Sequence, residues 1–324
     1  MNSLKKAYLF YLIGICGVLV LFSLYHSDLG KQWRWPSFQT LKSETTVLTN
    51  DDFKTIHVET SHADVQVMQS DSLNNSYQID TRLHDEFANQ YELISADGVL
   101  TIREKEGWNW ASGFSLESER INLTLPVHAM VSLSVSTRSG TVEITQWKGE
   151  DLQVNTASGT VKGNALVASH FSVITSSGDS NLEDLQGNLQ MESSSGEIRI
   201  KNLAGTLNVK TTSGDVSLKE IESPAFIQTR TVSGEIKAEK VKGTLNLEST
   251  SGDMQVRQSD QLSGSSIRSV SGDVSMRVVA LTSYCVIAET TSGNQNINPS
   301  AGACTSDNPI TITTVSGDIE VRDE

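Results

Sequence analysis

The chain has 324 residues, 37% of them hydrophobic, and its 25 Lys and Arg against 39 Asp and Glu give a formal charge of −14. This length suits one or two domains, and the composition fits neither a multi-span membrane protein nor a disordered tail. The charge argues against a nucleic-acid binder, which needs a basic footprint, and three cysteines cannot build a disulfide scaffold or a Cys-rich zinc site.

Residues 1–6 read as a short cytoplasmic tail that carries Lys5 and Lys6. Residues 7–25 (Ala7 to Tyr25) contain no charge. As a helix they span about 28 Å, close to the thickness of a bilayer core, so we expect one transmembrane helix anchor. A cleaved signal peptide would have a shorter apolar run and a small-residue cleavage site; this run instead ends Phe22-Ser23-Leu24-Tyr25. Residues 26–45 form a juxtamembrane linker in which Trp33 and Trp35 flank Arg34, a pattern suited to a headgroup region. The expected location is the cell membrane, single-pass, with the bulk of the chain extracytoplasmic.

Residues 46–132 are β-rich but irregular, and we expect them to cap the structure that follows. Phe53 to Val67 resembles a degenerate copy of the later repeat, with Ala63 in the place of a glycine. Tyr77 to Leu83 reads as a strand, Tyr91 to Glu104 as a hairpin about Ala96-Asp97-Gly98, and Ile121 to Pro126 as a strand. Between these lies GWNWASGF, residues 107–114. Its Trp108, Trp110 and Phe114 sit in a polar loop and are candidates for stacking on a sugar, docking a partner or touching the membrane, or for covering the end of the core.

From residue 133 to 324 the chain repeats itself. The string Thr/Ser-x-Ser-Gly occurs ten times, with its glycine at Gly140, Gly159, Gly178, Gly196, Gly214, Gly234, Gly252, Gly272, Gly293 and Gly317. Most copies are 18–20 residues apart, and the last two intervals are longer. Apolar residues occupy positions −7 and −5 before the glycine and +2 and +4 after it, a period of two that marks strands with one buried face. A further apolar column stands at +7, in Trp147, Leu166, Leu185, Leu203, Ile221 and Val241. A single repeat of this size cannot bury its own apolar side, but stacked repeats can. The predicted fold is therefore all-β: a parallel β-solenoid (β-helix) of 18–20-residue coils, with like residues in columns. Parity places the hydroxyls at −3 and −1 on the inner side. The charged residues Asp318, Glu320, Arg322, Asp323 and Glu324 are expected to guard a free edge at the C-terminal end.

An acidic column stands at +1, in Asp179, Glu197, Asp215, Glu235, Asp253 and Asp273. Its two readings are turn chemistry with screened charges and a row of weak Ca²⁺ sites, since carboxylates are hard-cation ligands. No other cofactor is indicated. Cys285 and Cys304, about one coil apart, are expected either to form a disulfide or to remain two buried thiols. No metalloprotease, P-loop, dinucleotide or serine-hydrolase motif is present. No histidine follows His170, so a Ser-His-Asp site is ruled out in most of the array.

The LTIRE strand at Leu100–Glu104, INLTLP at Ile121–Pro126 leading into LSVSTRSGTVEI at Leu133–Ile144, and the repeated SGD/SGE strands carry a family resemblance. From about Thr46 onward the chain is similar to the bacterial "putative adhesin" domain family of unknown function. With one N-terminal span, the layout also resembles LiaG-type membrane proteins linked to envelope-stress operons. The resemblance implies architecture and carries over no functional residues. The expected function is non-enzymatic binding of a cell-envelope component or a protein partner, with the membrane as a further partner through the N-terminal helix and no nucleic acid. The alternatives are a carboxylate-based polysaccharide-active enzyme on the same scaffold, and a scaffold for a membrane sensor system.

Overall fold

The computed structural model describes residues 41–49, 53–73, 76–84, 91–105, 119–298 and 308–323. The predicted span at residues 7–25 lies outside them, as do Trp108, Trp110, Phe114 and Cys304. Among the described residues, no helix is long and apolar enough to cross a membrane.

The described chain is an all-β parallel solenoid, and its only helical element is the short turn Leu281–Ser283. Each coil contributes one strand to each of two stacked columns. In the first column Leu133 pairs with Leu152 and Val135 with Val154, and the same register continues to Phe171 and Val173. Val173, Met191, Val209, Thr229 and Leu247 follow one above another. In the second column Val142, Val161, Ser180, Ile198, Val216, Ile236, Met254 and Val274 are stacked in the same way. The apolar members of both columns form one continuous buried core, with Ser180 and Thr229 buried among them.

Thr229 is the polar exception inside the aliphatic column. It is fully buried and its hydroxyl has no hydrogen-bond partner. An unsatisfied buried hydroxyl costs stability, and valine has nearly the same shape. Thr229→Val is therefore expected to raise the unfolding free energy by about 1 kcal/mol, measured by denaturant titration.

The +7 column is out of step with +2 and +4, and the backbone explains it. Gln146, Ala165, Asp184, Asn202, Glu220, Lys240 and Gln258, all at +6, have φ between 48° and 58°. A left-handed residue re-aims the chain, so +7 points inward where strict alternation would point it out. The ladder skips this position: Asn164 pairs with Thr145 and Leu166 with Trp147, with no pair between them.

At both ends the spatial order departs from the chain order. Thr55–Thr60 pairs with Ser132–Thr137 on one side and Val99–Glu104 on the other. Asp64–Ser70 likewise lies between Val142–Lys148 and Arg120–Pro126. The first coil is therefore inserted, and later residues form the outer layer. That layer is closed by antiparallel strands. Arg120–Pro126 pairs with Ser76–His84, and Ser76–His84 with Leu41–Thr49. Tyr91–Ala96 folds onto Val99–Glu104 through Asp97 and Gly98, both with positive φ, the pattern of a two-residue hairpin turn. The Phe53 and Tyr77 rings meet edge to face at 4.9 Å inside this cap.

The C-terminal end is interlocked in the same way. Ile310–Ser316 lies between Ser266–Ser271 and Val286–Ser292. Ile319–Asp323 lies between Val274–Val278 and Gln295–Ile297. The expected charged edge at Asp318 to Glu324 is therefore corrected: residues 319–321 are paired on both sides, Arg322 and Asp323 on one, and Glu324 lies outside the described residues. At this end of the described chain the free edge is Val286–Ser292 with Gln295–Ile297, where Ile287 is 39% exposed. The insertion gives the chain end two hydrogen-bonding neighbours, where a terminal coil would have one and would fray more readily.

Candidate binding faces

The Ser-Gly corner is held from inside by the hydroxyl at −3. The amides of Gly140, Gly159, Gly178 and Gly214 donate to the Oγ1 atoms of Thr137, Thr156, Thr175 and Thr211 at 2.9–3.1 Å. The Ala63 amide donates to Thr60 in the same way at 3.2 Å, so Ala63 does occupy a glycine position. The serines at −1 are a correction: Ser139, Ser158, Ser177, Ser195, Ser213, Ser233, Ser251, Ser271, Ser292 and Ser316 are all exposed. Two successive residues turn outward at the corner, which breaks the parity that the strands obey. Glycine is required because corners touch. A Cβ on Gly159 would lie 2.0 Å from the Gly140 carbonyl oxygen, and one on Gly178 1.8 Å from that of Gly159.

The acidic column is tied to the backbone. Asp179 Oδ1 accepts the Glu197 amide at 2.8 Å, Asp215 Oδ1 that of Glu235 at 2.8 Å, and Asp253 Oδ1 that of Asp273 at 2.9 Å. Asp273 Oδ1 then accepts from Asp318, and Asp318 Oδ1 from Asn294. Each aspartate thus satisfies the amide that follows the glycine on the adjacent coil, an amide the strand ladder leaves over. The two glutamates are used differently. Glu197 pairs with Arg199, while Glu235 pairs with Lys237 at 2.6 Å and accepts from Gln255 at 2.8 Å. Among the described residues, no group of three or more His, Cys, Asp or Glu is placed to hold a metal.

Further out, the strands present charges that pair between coils. Glu183 pairs with Lys201, Lys219 with Glu239 at 3.7 Å, Glu192 with Lys210 at 3.4 Å, and Arg230 with Glu248 at 2.7 Å. The Glu183 contact raises the pKa of the Lys201 ammonium. Exposed pairs of this kind stabilise little. A shallow open groove of about 480 Å³ crosses four rungs near the corner, where Glu59, Ser136, Arg138, Asn155, Ile174 and Ser176 line it. Two tyrosines sit near the ends. Tyr91 meets Thr60 at 2.7 Å, and burial raises its pKa. Tyr284 donates to Asp260 at 2.8 Å, which lowers the Asp260 pKa, while burial raises that of Tyr284. Cys285 is buried and disulfide-bonded; Cys304, the residue expected to pair with it, lies outside the described residues.

The family model described as Toastrack DUF4097 matches residues 53–240 and again 187–322. The chain belongs to the Toastrack family. The overlap of the two matches follows from the repeat, which lets one pattern fit at two offsets. No curated protein matches this Toastrack chain. Among solved structures, it is similar to a "putative lipid binding protein" from Parabacteroides distasonis, with 15% identity, TM-score 0.41, 87% of this chain and 96% of that one covered. A "putative adhesin" from Bacteroides fragilis shows 13% identity and TM-score 0.37, over 89% of this chain and 99% of that one. Another from Parabacteroides merdae shows 16% identity and TM-score 0.38, over 87% and 96%.

Chemically, the Toastrack scaffold described above offers polar rungs at fixed spacing rather than converging reactive groups. The aspartates of the acidic column each hold an amide of the adjacent coil in place through Oδ1. The groove was not foreseen from sequence, because its lining combines outward residues of four coils that share no motif. The +6 turn was equally hidden, since Gln, Ala, Glu and Lys are not residues that announce a left-handed backbone.

Proposed function

We propose that the chain is a membrane-anchored, extracytoplasmic binding protein that holds a cell-envelope component against the outer side of its solenoid. The observation that carries this reading is the groove across the rungs of Glu59, Ser136, Asn155 and Ile174. It is shallow and open, lined largely by Ser, Thr and Asn side chains across four rungs, with Ile174 exposed at 43% as an apolar contact. Such a surface suits an extended chain with hydroxyl or amide groups at intervals, lying across successive coils. The aspartates of the acidic column serve the backbone and its glutamates pair with neighbouring side chains, a structural use that supports a binding reading over carboxylate catalysis. Membership of the Toastrack family is compatible with a binding or scaffold role.

The test is co-sedimentation of the purified full-length chain, in nonionic detergent, with isolated cell-envelope material. Ile174→Lys changes an exposed side chain and leaves the core untouched, and it should lower retention at least about fivefold. Retention equal to wild type would remove the groove from the function. On intact cells, added protease should cleave the solenoid region; full protection would place it on the cytoplasmic side and overturn the proposed location.

A further inference from the structure

The +5 column changes character along the solenoid. In the middle coils its rungs are Glu183, Lys201, Lys219 and Glu239, and each lysine is neutralised by the acid on its other side, Lys201 by Glu183 and Lys219 by Glu239. The next three rungs are all arginine. Arg257 stands beside Arg277, and Arg277 beside Arg322. Adjacent strands lie about 4.8 Å apart, so three cations stand in a line on one face at that interval. Like charges directly opposite each other oppose folding; Glu239 stands beside Arg257 at one end of the line, but both rungs directly beside Arg277 are arginine. Arg257 and Arg277 make no ion pair among the described residues, and Arg277 Nε is buried without a partner. Arg322 pairs with Glu320 on its own strand. The flanking +3 positions on the other two rungs are Gln255 and Ser275, and the +1 aspartates Asp253 and Asp273 accept backbone amides.

The line exists only because of the interlocked end. In chain order, the coil after Arg277 would bring Asn298 to this position. Insertion of residues 310–323 brings Arg322 instead. We infer that Arg257, Arg277 and Arg322 form a binding site for a phosphate-bearing anion. Guanidinium groups present planar forks of N–H donors that match phosphate oxygens two at a time. Forks at rung spacing let one phosphate bridge two rungs and leave the third for a substituent or a second phosphate. The −14 chain does not attract anions as a whole, so binding has to come from these local contacts and should weaken as salt rises. The site lies on a different column from the groove and does not depend on it.

Isothermal titration of the purified full-length chain, in nonionic detergent at constant ionic strength, tests this with inorganic phosphate and, separately, glycerol phosphate as a headgroup fragment. Saturable binding of at least one is expected. Binding of both assigns a free-phosphate site, and binding of glycerol phosphate alone assigns a headgroup site. Arg277→Gln should weaken binding by about tenfold or more, while Arg199→Gln, whose arginine pairs with Glu197 in the neighbouring column, should not. If Arg277→Gln fails to fold by circular dichroism, Arg322→Gln provides the same comparison. The inference is overturned if wild type binds neither anion, or if the folded arginine variant binds as wild type does.

Discussion

Gly214→Val is expected to destabilise the solenoid by about 4 kcal/mol or more, and to leave little folded protein at 37 °C. The cause is contact between coils. A Cβ at Gly214 would lie 2.1 Å from the carbonyl oxygen of Gly196, and 3.0 Å from Thr211 Oγ1. The obstructing atom is backbone, fixed by parallel ladders on both sides, so no rotamer change relieves the overlap. Backbone conformation is not the reason, since Gly214 does not have a positive φ. Gly264 provides the opposite case. Its φ is +76°, and the nearest atom to an added Cβ is 4.0 Å away. Gly264→Ala should therefore cost only about 1–2 kcal/mol, the penalty for a left-handed alanine. Denaturant unfolding of both variants checks the distinction. Equal losses would show that close approach of the corners is not what demands glycine.

Truncation after Asn308 should have a second large effect, at a distance from the cut. Val286–Ser292 pairs with Ile310–Ser316, and Gln295–Ile297 with Ile319–Asp323. Removing the last coil strips the retained coil of those neighbours, and its amides should exchange with solvent at close to unfolded rates. Stacking in chain order would predict the reverse, with residues 286–297 still protected against residues 266–278. The glycine contacts already favour the inserted order: a Cβ on Gly317 would meet the Gly272 carbonyl oxygen at 2.2 Å, and one on Gly293 would meet that of Gly317 at 2.1 Å. Hydrogen exchange measured by mass spectrometry separates the two. Retained protection at 286–297 would mean that this coil moves onto 266–278, and that the inserted order is not enforced by these contacts.

Much of the solenoid was legible because each inward position repeats one residue class. Val173, Met191, Val209 and Leu247 could be assigned to one column from spacing alone, and Ala63 could be identified as a glycine position. The corner was read less well. Alternation placed Ser139 and its equivalents inside, whereas the turn sends two successive residues outward. Alternation holds only while the backbone stays extended, and a corner is where it stops. The acidic column was visible as a column, but its attachment to the amide of the next coil depends on coils being in contact.

The sequence by itself determined the coil: which residues face the axis, where the chain must bend, and why copies must stack. The tertiary structure alone decided the order of stacking at the two ends, and with it the free edge and the neighbours of Arg277. The physical reason lies in the repeat itself. Every coil offers the same apolar columns and the same row of N–H and C=O groups, so each is an acceptable partner for any other. Local pattern cannot choose among equivalent partners; the path of the connecting segments does.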